Sequence, residues 1–319
     1  MLDTIWQNTA LFYSIVAVAS LMVGSFLNVV IHRLPIMMER AWRDSIEEIP
    51  ADSLATSSCN DVSPPISEDS AQTAPALRME NGSFSNAQES EAAFNLAVPG
   101  SQCPSCDQPI KARHNIPVIS YLLLRGRCAS CKTNISPRYP IIELVTMLLS
   151  LVVAWKLGPG PQALLGIVVT WFLVAMSMID FDHQLLPDSL TLPLMWIGLL
   201  CALVPIFADL RSAVIGAAAG YLILWSIYQL FKITTGKEGM GFGDFKLLAA
   251  IGALLGWQAL PMVILLSSLV GAVVGIAIIL TTGRDKNIPI PFGPYLAAAG
   301  WIAMLWGDAL SDWYYGVLI

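Results

Sequence analysis

Long apolar stretches recur along this chain of 319 residues and constrain its fold more than any other feature of the sequence. Hydrophobic residues make up 55% of the chain and charged residues only 13%, and the mean hydropathy is +0.65. A soluble globular domain carries about 25% charged residues, whereas a helix needs about 20 apolar residues to cross a bilayer. We therefore predict an all-α polytopic membrane protein with about eight transmembrane helices. The apolar stretches lie near residues 10–31, 139–156, 162–181, 189–208, 212–233, 245–257, 258–281 and 291–309.

The basic residues predict how these helices are oriented. Lys and Arg near the ends of membrane-spanning helices are retained on the cytoplasmic side. With eight helices and the N-terminus outside, only Lys156 and Arg211 of the 17 basic residues fall outside. Residues 1–10 contain no Lys or Arg, so we expect an N-terminal anchor rather than a cleavable signal peptide.

A long polar segment follows the first apolar stretch. Residues 44–93 are acidic and rich in Ser, Ala and Pro, and they bury too little apolar surface to offset the entropy of ordering. Residues 99–138 are denser in Cys, Pro, Gly and basic residues, which is typical of a small folded module. The expected domains are an N-terminal transmembrane anchor (1–35), a cytoplasmic, largely disordered insert (36–98), a cytoplasmic cysteine module (99–138) and a seven-helix membrane domain (139–319).

Four cysteines of the module form two Cys-x-x-Cys pairs, Cys103 with Cys106 and Cys128 with Cys131, separated by 21 residues. This spacing is typical of a four-thiolate zinc site, and such an ion stabilises a small module that has no core of its own. A disulfide pair or a redox site is the alternative, although the reducing cytoplasm disfavours stable disulfides. Four thiolates leave no open coordination position, so we expect a structural zinc ion.

Two aspartates lie where apolar stretches meet polar sequence: Asp180 after Met176-Ser177-Met178-Ile179, and Asp244 at the end of Gly241-Phe242-Gly243-Asp244. Carboxylates near hydrocarbon are costly, so they indicate function unless they cap a helix or reach water. The predicted topology brings both to the cytoplasmic face. Two adjacent carboxyls that share a proton can activate water and polarise a peptide carbonyl.

Glycine residues precede the second aspartate. Gly241 and Gly243 allow the backbone to leave helical geometry, and they let a substrate backbone approach without a Cβ in the way. Helix dipoles favour a negative charge at the N-terminal end of a helix and disfavour one at the C-terminal end. The shared proton is therefore predicted to reside mainly on Asp180, at the end of the third apolar stretch, and not on Asp244.

The segment Ile179–Asp188, together with Gly241–Asp244, resembles the prepilin peptidases of type IV pilus and type II secretion systems. The resemblance covers almost the whole chain except residues 44–93. The other matching segments are residues 24–35, the four module cysteines, Arg138-Tyr139-Pro140 with Glu143, and residues 289–295.

The resemblance implies a bifunctional enzyme of the bacterial inner membrane with its N-terminus in the periplasm. It would cleave the short basic leader of prepilins and pseudopilins after a Gly on the cytoplasmic side. It would then N-methylate the new N-terminal residue, usually Phe, with S-adenosylmethionine. By the GxGD motif of this intramembrane aspartic protease family, Asp180 and Asp244 carry over as the catalytic pair. We see no GxGxxG motif after a strand, so no residue is assigned to S-adenosylmethionine.

Other polar residues near the predicted site have two open interpretations. Glu143 needs a partner such as Arg138, Lys246 or bound substrate, so it either supports the site or forms a structural pair. Asp188 is well placed as the N-cap of the fourth helix and is also a candidate to support the site.

Two further segments are predicted mainly from helical geometry. Ser25, Asn28 and His32 share one helical face and are expected to form interhelical hydrogen bonds. The proline-rich residues 289–294 are expected to start the eighth helix, with proline in its first turn, and contact with substrate is the alternative.

Two other functions would also place carboxylates in a membrane protein. A transporter or channel would use them to bind ions or relay protons, but it predicts inverted repeats and mid-span charges, and we find neither. A non-catalytic scaffold that presents the cysteine module predicts tolerance to the loss of either aspartate.

Overall fold

The computed structural model describes residues 8–47, 94–98, 100–103, 105–110, 116–236, 239–282 and 291–318. Within these residues the chain is helical, with two isolated β-bridges in the cysteine module, and the all-α fold class is confirmed. The helices are α1 (Thr9–Glu47), α2 (Ile119–Leu123), α3 (Arg138–Leu157), α4 (Pro161–His183), α5 (Asp188–Cys201), α6 (Leu210–Thr235), α7 (Phe242–Leu255), α8 (Leu260–Thr282) and α9 (Gly293–Leu318), with a 3-10 turn at Trp257–Ala259.

Every long helix in the described part of the chain corresponds to a predicted apolar stretch. Five of these helices are long and apolar enough to cross a membrane, and α5 is a shorter apolar helix. The fourth stretch was predicted to extend to residue 208, but α5 ends at Cys201. Pro205 explains the difference, because its ring would clash with the carbonyl of Cys201 in a continuous helix. The five candidate spans are Thr9–Ser45, Arg138–Leu157, Pro161–His183, Leu210–Thr235 and Trp257–Ile278.

The chain divides into two compact units, one of residues 36–99 and one of residues 1–35 with 100–319. In the smaller unit, the Arg40 guanidinium lies 4.4 Å from the ring centroid of Phe94. Helix α1 continues to Glu47, so residues 44–47 are helical and were wrongly assigned to the disordered insert. The rest of the predicted disorder, over residues 48–93, falls outside the described residues.

Helix α7 is the centre of the larger unit. Every residue from Leu247 to Leu254 is buried, because α7 packs against α5, α6 and α9. A helix that is apolar on all sides is stable only when it is enclosed in this way. Its first turn carries Asp244, so the enclosure of α7 fixes the position of that carboxyl.

Glycine residues allow α6 and α7 to approach backbone to backbone. A Cβ atom at Gly252 of α7 would lie 2.2 Å from the carbonyl oxygen of Gly216 of α6. One turn along α6, a Cβ atom at Gly220 would lie 2.7 Å from the carbonyl oxygen of Leu248. Helices in membranes associate through such close contacts between small residues, so these contacts set how α7 packs on α6.

Candidate active site and metal centre

Asp180 lies three residues before the end of α4. Its backbone carbonyl accepts a 2.9 Å hydrogen bond from the N–H of Gln184, whose left-handed conformation (φ 53°) ends the helix. The side chain is only 5% exposed, and its Oδ2 accepts a 2.9 Å hydrogen bond from the N–H of Gly293, the first residue of α9. The N-terminal end of α9 therefore points a donor at this carboxylate.

Asp244 is the third residue of α7, and Gly241 is the extended N-cap residue of this helix (φ −79°, ψ 146°). The backbone N–H of Asp244 donates to the carbonyl of Gly241 at 3.2 Å. The Asp244 residue is 7% exposed, and Leu186 packs both against Gly243, next to Asp244, and against Gly293, whose N–H binds Asp180. The structure thus brings together the two residues that the sequence singled out, although 64 positions separate them.

Leu186, in the loop between α4 and α5, packs against glycines next to both aspartates. A Cβ at Gly243 would lie 2.5 Å from the Cβ of Leu186. A Cβ at Gly293 would lie 2.6 Å from Asp180 Oδ2 and 3.2 Å from Leu186 Cδ1. Packing against Leu186 therefore explains Gly243, which we had predicted to leave room for a substrate. Beside Gly241, by contrast, the nearest atom is Asp244 Oδ2 at 4.0 Å.

Two ion pairs lie next to the aspartates. Arg138 of α3 binds Asp182 of α4 through both guanidinium branches, and the Lys246 Nζ lies 2.6 and 2.7 Å from the two carboxylate oxygens of Asp188. Asp188 begins α5 itself and Pro187 occupies the N-cap position, so the N-cap prediction for Asp188 was wrong. Partly exposed ion pairs add little stability, and these mainly orient the helix ends.

Glu143 has a different partner from those predicted. Arg138 and Lys246 bind other carboxylates, whereas the buried Glu143 accepts a 2.8 Å hydrogen bond from the N–H of Val118. It is also hydrogen-bonded to the side chain of Ser25 in α1. Glu143 thus joins the segment before α2 to α3 and α1, which is the structural role left open above.

The polar face of α1 makes the expected interhelical contact. Asn28 Nδ2 donates to the backbone carbonyl of Tyr139 in α3 at 3.2 Å. One turn earlier, a Cβ at Gly24 would lie 2.8 Å from the Cα of Glu143, so α1 and α3 cross closely here. The predicted role of this face is confirmed for Asn28.

The proline-rich segment starts α9 as predicted. Pro294 is the second residue of α9, and residues 283–290 fall outside the described chain. The hydrogen bond from the Gly293 N–H to Asp180 could not be predicted from the sequence, because a backbone donor has no side-chain pattern. This bond stabilises the ionised form of Asp180 and so opposes the prediction that the shared proton resides there.

The four module cysteines form one cluster. Their sulfur atoms all lie within 4.8 Å of one another. Two similar turns hold them: the N–H of Cys103 donates to the Gln108 carbonyl at 3.1 Å, and the N–H of Cys128 donates to the Thr133 carbonyl at 2.9 Å. Each turn contains one left-handed residue, Asp107 (φ 52°) or Lys132 (φ 60°). In the described part of the chain this is the one group of His, Cys, Asp or Glu with metal-ligand spacing.

The cluster has the dimensions of a tetrahedral metal site. Thiolates bound to zinc at about 2.3 Å lie about 3.8 Å from one another. The sulfur atoms of Cys103 and Cys131 are 3.8 Å apart. Contacts with the side chain and backbone of Thr133 lower the pKa of the Cys131 thiol to about 6, whereas burial and the neighbouring thiols Cys131 and Cys103 raise the pKa of Cys106 to about 12. The residues can therefore hold one metal ion.

Models of two protein families match consecutive parts of the chain. Residues 18–157 match the model of the bacterial peptidase A24 N-terminal domain, and residues 167–276 match that of the type IV leader peptidase family. No solved structure matches the chain significantly.

Curated relatives extend the likeness over nearly the full length. A protein of Aeromonas hydrophila is 53% identical over 307 residues, which cover 95% of this chain and 94% of its own. One of Aeromonas salmonicida is 52% identical over 309 residues, covering 97% and 96%. One of Pseudomonas aeruginosa is 48% identical over 314 residues, covering 98% and 97%. All three are named prepilin leader peptidase/N-methyltransferase, and this chain belongs to their family, the type IV leader peptidases.

Proposed function

We propose that this protein is an aspartic endopeptidase and N-methyltransferase of the bacterial inner membrane. It removes the basic leader of type IV prepilins and pseudopilins after a Gly, and it methylates the new N-terminal residue, usually Phe. The observation that carries the peptidase function is the buried pair Asp180 and Asp244, at the end of α4 and the start of α7 and on either side of Leu186. The substrate class and the methyl transfer come from the names of the relatives. Such an enzyme serves type IV pilus assembly, type II secretion, or both.

The two carboxyls take different roles in hydrolysis. Asp180 is the base, because the Gly293 N–H and the N-terminal end of α9 stabilise its charge. That charge keeps the shared proton on Asp244, which donates it to the peptide carbonyl. Water loses a proton to Asp180 and adds to the carbonyl carbon. The C–N bond then breaks as the leaving amine is protonated by the dyad.

Space for the substrate backbone lies beside Gly241. Among the described residues, and apart from the chain neighbours of Gly241, only Asp244 Oδ2 would come within 4.0 Å of a Cβ there, whereas Gly243 is packed against Leu186. Phe242 is 53% exposed and Phe181 is 69% exposed, so each aspartate has an accessible aromatic neighbour. These rings suit the apolar segment that follows a prepilin cleavage site. Asp188 supports the site indirectly, through its ion pair with Lys246 two residues after Asp244, whereas the hydrogen bond of Glu143 to Val118 gives it a structural role.

The distribution of Lys and Arg supports the proposed topology and domains. An N-terminus in the periplasm brings the aspartates and the cysteine module to the cytoplasmic side, where basic leaders are found. The anchor (1–35), the insert (36–98), the cysteine module (99–138) and the membrane domain (139–319) are proposed as successive parts.

The cysteine cluster is proposed to bind structural Zn²⁺. S-adenosylmethionine would supply the methyl group, and no residue is assigned to it.

Replacement of either aspartate by Asn is expected to lower the rate of leader cleavage by about 10²-fold or more, because one of the two proton-transfer groups is lost. Cleavage would be followed in membranes with a prepilin that carries its basic leader. The matched control is Asp312→Asn, an exposed aspartate near the other end of α9, which should cleave at the normal rate.

Methylation of a pre-cleaved substrate should continue in both aspartate variants, which separates the two activities. Cleavage at the normal rate by Asp180→Asn or Asp244→Asn would contradict the two-aspartate mechanism and favour the non-catalytic scaffold.

The position of the shared proton can be read by infrared spectroscopy. The band of a protonated carboxyl should disappear in Asp244→Asn, because the remaining Asp180 is stabilised as an ion by the Gly293 N–H. The band should be present in Asp180→Asn at mildly acidic pH. Persistence of the band in Asp244→Asn would show that Asp180 holds the proton, as the dipoles of α4 and α7 alone predicted.

Metal analysis tests the cysteine cluster. The purified protein should contain about one zinc ion per chain. The double variant Cys103→Ser/Cys128→Ser should lose it, because two thiolates do not form a tetrahedral site. Cys201→Ser is the matched control, since Cys201 lies in α5 outside the cluster. Full zinc content in the double variant would exclude this cluster as the site.

A further inference from the structure

Helix α2 of the cysteine module exposes apolar side chains. Ile119 is 53% exposed, Leu122 is 68% exposed and Leu123 is 78% exposed. Their spacing of three and four residues brings them to neighbouring positions on a single short helix. In water, three adjacent large apolar side chains would be an unfavourable surface, and such patches mark contacts with a membrane or another molecule.

The structure fixes the depth of α2 relative to a membrane-spanning helix. The N–H of Val118, directly before α2, is bound to Glu143 of α3. Glu143 is the sixth residue of α3, about 7.5 Å along the helix from Arg138, at a rise of about 1.5 Å per residue. Arg138 and Tyr139 are residues typical of the membrane–water boundary, and the apolar part of α3 follows them. Helix α2 therefore lies level with the boundary region of α3.

Basic residues follow α2 directly. Arg125 and Gly126 both adopt left-handed conformations (φ 52° and 67°), and the chain turns back after them. The exposed cations Arg125, Arg127 and Lys132 line a cavity of about 390 Å³ together with Leu124 and Cys128. In the described part of the chain, none of the three cations forms a salt bridge.

The exposed apolar side chains of α2, the cations that follow them and the depth of α2 together favour lipid over other partners. An apolar helix face with cations beside it, at boundary depth, is the pattern of an interfacial segment that binds anionic lipid. The leader of a prepilin is basic and would be repelled by these cations. A soluble protein could bind an apolar face anywhere on the cysteine module. The position of this face at the depth of the membrane boundary therefore favours lipid.

We propose that α2 and the basic turn after it form an interfacial surface that binds anionic phospholipid. Ile119, Leu122 and Leu123 insert among the upper acyl chains, while Arg125, Arg127 and Lys132 bind headgroup phosphates. The surface would hold the cysteine module against the membrane. This proposal rests on the membrane placement of α3 and not on the peptidase function, so the two can fail independently.

Lipid binding by the full-length protein tests the basic half of the surface. Retention of phosphatidylglycerol would be measured by native mass spectrometry for the wild type and for Arg125→Gln/Arg127→Gln/Lys132→Gln. The affinity of the triple variant for phosphatidylglycerol should be lower by a factor of about ten or more, because three headgroup contacts are lost. The control variant Lys156→Gln/Arg211→Gln neutralises basic residues elsewhere and should bind as the wild type does. Equal affinity of the triple variant and the wild type would overturn the proposal.

An environment-sensitive fluorophore on a Leu123→Cys variant tests the apolar half. In vesicles of phosphatidylcholine with phosphatidylglycerol, the emission should show an apolar environment, and bromine on the upper acyl chains should quench it. Retained zinc would verify that the module is folded. An aqueous emission spectrum in these vesicles, or a shift that occurs only when a soluble protein is added, would contradict insertion into lipid.

Discussion

The buried helix α7 is the element on which the rest of the site depends. From Leu247 to Leu254 its residues are apolar on all sides, so this part must be enclosed, and the glycine contacts allow the backbones of α6 and α7 to approach closely. Asp244 in the first turn of α7 is fixed by the same packing. Without that enclosure, a carboxyl near the membrane would turn toward water and lose its partner.

Three further helix ends converge on this one. The end of α4 supplies Asp180, the start of α9 supplies the N–H of Gly293, and the loop before α5 supplies Leu186, which contacts the glycines beside both aspartates. Each aspartate is two residues from a member of an ion pair that joins neighbouring helices. Within the described residues, the backbone N–H of Gly293 and close contacts at Gly243 and Gly293 thus position the two carboxyls.

The sequence predicted the parts of the structure that depend on composition and spacing. Apolar stretches identified the long helices, and the two Cys-x-x-Cys pairs identified the cluster. The end of α5 was predicted at residue 208 instead of Cys201, because the apolar composition after Cys201 was given more weight than the helix-breaking effect of Pro205. The partners of Glu143 and Asp188 were missed because ion pairs and backbone donors come from segments distant in sequence. The same holds for the N–H of Gly293, on which the proposed division of roles between the two aspartates rests.

Disulfide formation between the aspartate positions tests the central claim, that α4 and α7 bring the two carboxyls together. Asp180→Cys and Asp244→Cys would be combined in one protein that carries a protease site inserted between α6 and α7. The purified protein would be oxidised, and the protease would then cut the chain between the two cysteines. The account predicts that the two fragments stay joined without reductant, and that Asp244→Cys alone gives separate fragments. Separate fragments from the double variant would contradict it.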